Sequence, residues 1–178
     1  MENTEFLLNK IQSDDLWTDE LELKRNELLV SAGKIDPNLY FIVNGSLRLY
    51  VAEEAEEHTI RFGYKSNFIT ALDSFITDLP TNLNIVALKK TTVKVISKQA
   101  FFQLINSSEQ LTKIWTSILQ HLLLQQLERE QDILTTSPLT RYTRVLKRSP
   151  QLFQEIPNKY IADYLRMTPE TLSRIKNS

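Results

Sequence analysis

The spacing of apolar and polar positions changes character along the chain. Residues 3 to 12 place Phe6, Leu7 and Ile11 at helical intervals, which predicts a short amphipathic helix. From about residue 20 to 100 the chain breaks into short β-branched and aromatic runs, LYFIVNGSLRLYV (39–51), HTIRFGY (58–64), LNIVAL (83–88) and TTVKVIS (91–97), with turn residues between them. Such runs predict an antiparallel sandwich or barrel, and Asn44-Gly45 between two apolar strands predicts a two-residue hairpin. EEAEE (53–57) reads as a solvated hairpin tip: its carboxylates lack the ligand spacing and glycine bend of a calcium loop. His58 is expected to be exposed beside it, far from the other histidine, His121.

From Phe101 the period turns helical and stays so through Leu134. Leu111, Ile114, Trp115, Ile118, Leu119, Leu122, Leu123, Leu124 and Leu127 cover more than one stripe of that helix. A helix that must bury two faces lies between its own domain and a partner, which predicts a two-fold homodimer built on it. The other solution is the central helix of a monomer. The polar set Gln120, Gln125, Gln126, Glu128, Arg129 and Glu130 requires solvent and argues against that. TTSP (135–138) stops the helix and starts another, with Ser137 as N-cap and Pro138 at the first helical position, and LTRYTRVLKRS then runs to Pro150. The expected organisation is a β domain over 1–105, a dimerisation helix over 106–135 and a small helical domain over 136–178.

The last of these contains a helix-turn-helix pattern. With Asn158 as the first of its positions, apolar residues are wanted at the fourth, eighth, tenth, fifteenth and eighteenth and a small one at the fifth. Ile161, Leu165, Met167, Leu172, Ile175 and Ala162 supply them. Ala162 must be small because the second helix crosses the first there, and the apolar set forms the wedge between them. Thr168 reads as the N-cap of the second helix, Pro169 as its first residue, and Glu170 complements the helix dipole. The turn wants a positive φ at the ninth position, usually met by glycine; Arg166 stands there at a cost of about 1 kcal/mol. Pro169, Glu170, Thr171, Ser173, Arg174 and Asn177 face outward. Arg174 suits guanine O6 and N7 and Glu170 suits cytosine N4, while Thr168, Thr171, Ser173 and Lys176 suit phosphates.

Charge sharpens this picture. The net charge of −1 divides into 13 Lys/Arg against 19 Asp/Glu over residues 1–140 and 8 against 3 over residues 141–178, so the end of the chain is basic. A basic surface attracts phosphates, and the acidic remainder is repelled by them. The chain has no cysteine, which excludes disulfides, thiolate zinc sites, cysteine-ligated clusters and a cysteine nucleophile. The N-terminal segment lacks a secretory pattern and no stretch is apolar enough to span a bilayer, so a cytoplasmic protein with no membrane partner is expected. Two distant histidines do not make a cupin-type metal site, so neither an enzyme nor a metal or other cofactor is expected.

Over nearly its whole length the chain resembles the Crp/Fnr family of transcription regulators. The resemblance is carried by FIVNGSLRLY, similar to the glycine-turn hairpin of that family's β-roll, by NFITALDSFITDLPTNLNIVAL, similar to its ligand cassette, by the long helix, and by IADYLRMTPETLSRIK, similar to its reading helix pair. IRFGYKSNFITALDSF and IPNKYIADYLRMTPETLSRI are most similar to a short-tailed branch common in Bacteroidetes-type sequences. The resemblance implies an α+β protein with an N-terminal cyclic-nucleotide-binding-like antiparallel β-roll (jelly roll), a dimerisation helix and a C-terminal helix-turn-helix. The implied partners are double-stranded DNA with a palindromic operator, a small-molecule effector, RNA polymerase and a second copy of the chain. Where the family carries a Gly-Glu pair for the ribose this chain has Ile69 and Thr70, and Pro80 precedes Thr81 where an arginine neutralises the cyclic phosphate. Burying a phosphate without that cation costs several kcal/mol, so the roll is expected not to bind cyclic AMP. A different small molecule would use Phe68, Thr70, Thr81 and Asn82. In the reading helix, Glu170 and Arg174 match two of three base-contacting positions and Pro169 replaces the first; the family's winged hairpin has no counterpart after Lys176. The rival expectation is a β-roll that senses a ligand or binds a protein, with a vestigial helix-turn-helix.

Overall fold

The computed structural model describes residues 2–54 and 56–177. Helix α1 (Glu2–Ser13) precedes strands β1 (Asp19–Leu23), β2 (Leu28–Val30), β3 (Asn38–Asn44), β4 (Ser46–Glu53), β5 (Glu56–Tyr64) and β6 (Phe68–Ile69). A short helix, α2 (Leu72–Thr77), leads to β7 (Asn84–Ala87) and β8 (Thr91–Ser97). Helices α3 (Lys98–Ile105), α4 (Glu109–Leu134), α5 (Pro138–Arg148), α6 (Leu152–Glu155), α7 (Asn158–Tyr164) and α8 (Pro169–Lys176) follow.

The strands form two four-stranded antiparallel sheets, ordered β1-β8-β3-β6 and β2-β7-β4-β5, which pack as a β-roll. Period-2 alternation aims one face of each strand inward, where Leu23, Val30, Ile42, Leu47, Ile85 and Val93 meet between the sheets. The Asn44-Gly45 hairpin is overturned: β3 pairs with β6 and β8, β4 pairs with β5 and β7, and Gly45 carries the chain from one sheet to the other. A positive-φ step serves any abrupt change of direction, and here both flanking strands are buried in different layers. Gly45 has φ +100°, and a Cβ on it would lie 2.3 Å from Thr91 Oγ1 and 2.6 Å from Thr91 Cα. The true hairpin joins β4 to β5, with Glu53 opposite Glu56 at its tip.

The continuous helical period from Phe101 to Leu134 is likewise interrupted. The Ser97 hydroxyl caps α3 and the Ser108 hydroxyl, accepting from the Leu111 N–H, starts α4 as a new helix. Apolar spacing is blind to such a break, whereas the Asn-Ser-Ser run at 106–108 supplies the cap that makes it. Leu7 and Ile11 of α1 join Phe75, Phe101 and Leu111 in a second core over the end of the roll. A third core crosses between the outer face of the roll and the terminal helices, gathering Phe62 and Leu88 with Val145, Leu152, Ile156, Ile161, Leu165 and Leu172. Helix α4 leaves Leu123, Leu124, Leu127 and Leu134 at 62, 60, 47 and 73% exposure.

Replacing Gly45 with alanine combines a backbone conformation unfavourable to L residues with collision against the Thr91 backbone. A loss of about 2–4 kcal/mol in urea unfolding is expected.

Candidate nucleic-acid interface and effector region

Helices α7 and α8 are joined by a tight turn in which the Arg166 N–H donates to the Asp163 carbonyl (2.9 Å) and the Met167 N–H to the Ala162 carbonyl (3.0 Å). Arg166 adopts φ +52°, the left-handed conformation the turn requires. Its side chain and carbonyl are held from two sides: the guanidinium donates to His58 Nδ1 (3.0 Å), and the carbonyl accepts from Arg141 Nη2 (2.9 Å). Ile161, Ala162, Leu165 and Leu172 are fully buried in the wedge between the helices, with Met167 and Ile175 half-buried. The Thr168 hydroxyl caps α8 by accepting from the Thr171 N–H (3.2 Å). Glu170, Ser173, Arg174 and Lys176 are exposed, Thr168 is exposed and Thr171 half-buried, so these candidates run from the N-cap to the last turn of one short helix. The Lys176 Nζ donates to Asn158 Oδ1 (3.0 Å). The Glu170 backbone N–H, the Thr168 hydroxyl and the nearby Arg174 charge hold the Glu170 carboxyl below its usual range.

His58 is not simply exposed: its side chain is half-buried against Arg166, because the hairpin tip leans on the turn between α7 and α8. The basic end of the chain is also less free than its composition suggests. Arg144 and Arg148 both pair with the fully buried carboxylate of Asp132 on α4, Arg148 also pairs with Glu128, and Arg141 donates to the Thr135 carbonyl (2.7 Å). Arg129, expected at solvent, is buried at 6% exposure with its guanidinium 3.8 Å from the Tyr164 ring centre. A polar residue on the wet side of an isolated helix becomes interior once a second domain packs there. Lys147, Lys159, Arg174 and Lys176 remain exposed cations of the C-terminal segment.

The terminal helices dock on the roll around Arg48, a cation between Leu47 and Leu49 in β4. Its side chain is sandwiched between the rings of Tyr50 (4.6 Å) and Tyr160 (4.9 Å). It pairs with Glu57, donates to Thr59 Oγ1 (2.7 Å), and reaches Asp163 Oδ2 on α7 (3.2 Å). The same Asp163 oxygen accepts from the Thr59 N–H (2.9 Å) and from the Thr59 hydroxyl. Phe62 and Tyr164 pack with tilted rings 5.6 Å apart beside this node, and Lys89 pairs with Glu155 at 3.0 Å. Sequence reasoning missed the node; the signal was an arginine and a threonine at buried strand positions, which demand polar partners from elsewhere in the fold.

In the cassette, Phe68 packs against Phe41 (5.1 Å between rings) and the Thr70 hydroxyl donates to the Asn38 carbonyl (2.7 Å). The buried Thr81 hydroxyl lies 2.7 Å from Asp73 Oδ1, and the Asn82 N–H donates to Asp73 Oδ2 (3.1 Å). Thr81 and Asn82 are thus brought together by one carboxylate. Burial raises the Asp73 pKa, but bonds from Thr81 and from the Ser74 and Asn82 N–H groups outweigh it and leave the carboxyl below its ordinary value.

Residues 20–108 match the cyclic nucleotide-binding domain family. The chain belongs to that family. Beyond this cyclic nucleotide-binding domain, most of the chain is similar in fold to solved structures at low identity. FixK2 from Bradyrhizobium japonicum superposes with a TM-score of 0.76 at 17% identity, over 89% of this chain and 82% of that one. A CooA mutant from Carboxydothermus hydrogenoformans gives 0.70 at 17% identity, over 89% and 74%. The c-di-GMP responsive global regulator CLP from Xanthomonas campestris gives 0.69 at 13% identity, over 96% and 90%. No curated protein matches the chain in sequence. Among the described residues no helix is long and apolar enough to cross a membrane, and no cluster of His, Cys, Asp or Glu could hold a metal ion.

Replacing Asp163 with alanine strands the Thr59 donors and one arm of Arg48, although Arg48 keeps Glu57. A loss of about 2 kcal/mol in urea unfolding is expected, with the Asp163→Asn variant less affected because the amide oxygen still accepts.

Proposed function

We propose that the chain is a dimeric, DNA-binding transcription regulator of the Crp/Fnr type, with α7 and α8 as its helix-turn-helix. The observation that carries this reading is the outward side of α8. Leu172 is fully buried in the wedge while Glu170, Ser173 and Arg174 are exposed, and no side chain among the described residues accepts a hydrogen bond from Arg174. Docking of α7 on β5 turns this helix away from the roll, as insertion into a major groove requires. Arg174 and Glu170 read base edges, and Thr168, Thr171, Ser173 and Lys176 meet phosphates. Two copies joined along the exposed leucines of α4 place their reading helices on successive grooves about 34 Å apart, which fits a palindromic operator. The domains that act are the roll over 1–105, the dimer helix over 106–135 and the DNA-binding unit over 136–178.

The roll senses a small molecule other than cyclic AMP, set against Phe68, Thr70, Thr81 and Asn82. The ionised Asp73 bonded to Thr81 and Asn82 supports the exclusion of the cyclic phosphate. Such an effector acts only as far as it prefers the DNA-competent arrangement of the two domains. The protein works on DNA in the cytoplasm, and RNA polymerase is the further partner this role calls for.

Selection from a random duplex pool followed by gel shift should enrich a two-fold symmetric site. On that site Arg174→Ala should bind about 5- to 150-fold more weakly and lose preference at one base pair of each half-site. Failure of any sequence to enrich at moderate salt would leave the helix pair without this role. Wild-type protein should sediment at twice the 20.7 kDa chain mass. The double variant Leu124→Glu, Leu127→Glu should sediment as a folded monomer, since it places charge in the α4 contact.

A further inference from the structure

Arg61 has no assigned part in the fold or in the docking described above. Its position on β5 is set by register: Arg61 lies opposite Leu49, and Gly63 opposite Leu47, both leucines belonging to the core between the sheets. Residues opposite one another in an antiparallel pair share a face, so Arg61 stands on the inner face of the roll, while its neighbour Phe62 faces the terminal helices. Gly63, two residues on and on that same inner face, lies against the strand that opens the cassette: a Cβ there would come within 2.9 Å of Ile69 Cδ1. The register between β4 and β5 also slips beside Arg61, between Leu49 and Tyr50, leaving Ile60 as an extra residue. Bulges of this kind re-aim side chains and concentrate beside binding sites.

What the position lacks is an anion. Among the other arginines, Arg48 has Glu57 and Asp163 and Arg144 and Arg148 share Asp132, whereas Arg141 bonds backbone carbonyls but leaves its Nε without a partner and Arg129 lies over the Tyr164 ring with Nη1 without one. No acceptor among the described residues takes a hydrogen bond from the Arg61 guanidinium, although it is half-buried and burial disfavours its charge. The titratable group close enough to act on it is the Tyr164 phenol of α7, which belongs to the DNA-reading end of the chain. A half-buried guanidinium with its fork unfilled is matched by a carboxylate or phosphate, which it binds through two parallel hydrogen bonds.

We propose that Arg61 anchors an oxyanion-bearing small molecule, carboxylate or phosphate, on the inner face of the roll next to the cassette strand. The proposal rests on the effector-sensing part of the function above and names the chemistry of its ligand. It exchanges the family's cassette arginine for a cation on the facing sheet.

Thermal unfolding of the full chain, without DNA, tests this. Inorganic phosphate and phenyl phosphate form one arm, succinate and benzoate the other, each titrated against sodium chloride at equal ionic strength. At least one arm should raise the melting temperature of wild-type protein saturably, and the responding arm identifies the anion. Arg61→Gln should weaken that binding at least tenfold. Arg61→Lys, which keeps the charge and loses the fork, should fall between the two, and it carries the test if Arg61→Gln does not fold. Lys65→Gln, an exposed position four residues on, should bind as wild type does. A wild-type protein that responds to none of the four probes overturns the proposal. So does a response unchanged in the Arg61 variants, or one lost instead in Arg174→Ala, Lys176→Ala, which would mark phosphate bound on the DNA-reading face. Because no DNA is present, either result leaves the operator selection to stand or fall separately.

Discussion

The geometry of this protein depends on how one buried cation is satisfied. Arg48 enters the outer face of the roll in a strand whose neighbours are apolar, and an unpaired guanidinium there would be strongly destabilising. Glu57 and Thr59 come from the adjacent strand, but the Asp163 oxygen that completes the set comes from α7, 115 residues away in sequence. The terminal helices are therefore attached to the roll at a defined place and angle by a polar contact. The surrounding Phe62, Tyr160 and Tyr164 supply area, and the hydrogen bonds supply the register.

A second cluster does the same for α4. Asp132 is fully buried and accepts from two arginines of α5, while Arg129 one turn earlier is covered by Tyr164. These contacts consume two of the arginines that make the end of the chain basic, Arg144 and Arg148. What is left exposed is a smaller, more localised set of cations, including Arg174 and Lys176 on α8. Net charge counted along a segment overstates the charge available to a partner whenever part of it is neutralised inside the fold. The remaining localisation favours selective contact over general attraction to phosphates.

The cassette has become a closed polar knot. Asp73 ties Thr81 and Asn82 together, and Thr70 is bonded to Asn38. The two sheets of the roll are held by their apolar inner faces, not by the polar groups of the cassette. Chemistry on the cassette is then free to change while the scaffold stays the same.

Much of this was determined by the sequence alone. Short β-branched runs, the cap of α8 at Thr168-Pro169 and the wedge of Ile161, Ala162, Leu165 and Leu172 are local patterns, and each appears in the structure where the spacing placed it. The strained turn at Arg166 was legible for the same reason, since two helices this close in sequence leave no other route. Tertiary structure alone decided which strands pair. Asn44-Gly45 looked like a hairpin because its turn chemistry is local, whereas the transfer of β4 to the other sheet depends on β7 and β8, some forty residues later. It also decided the fates of His58, Arg129 and the basic tail, whose partners lie in distant segments. Periodicity reports which face of an element is buried; it carries no information about which remote charge will meet it, because that is fixed by the packing of finished elements.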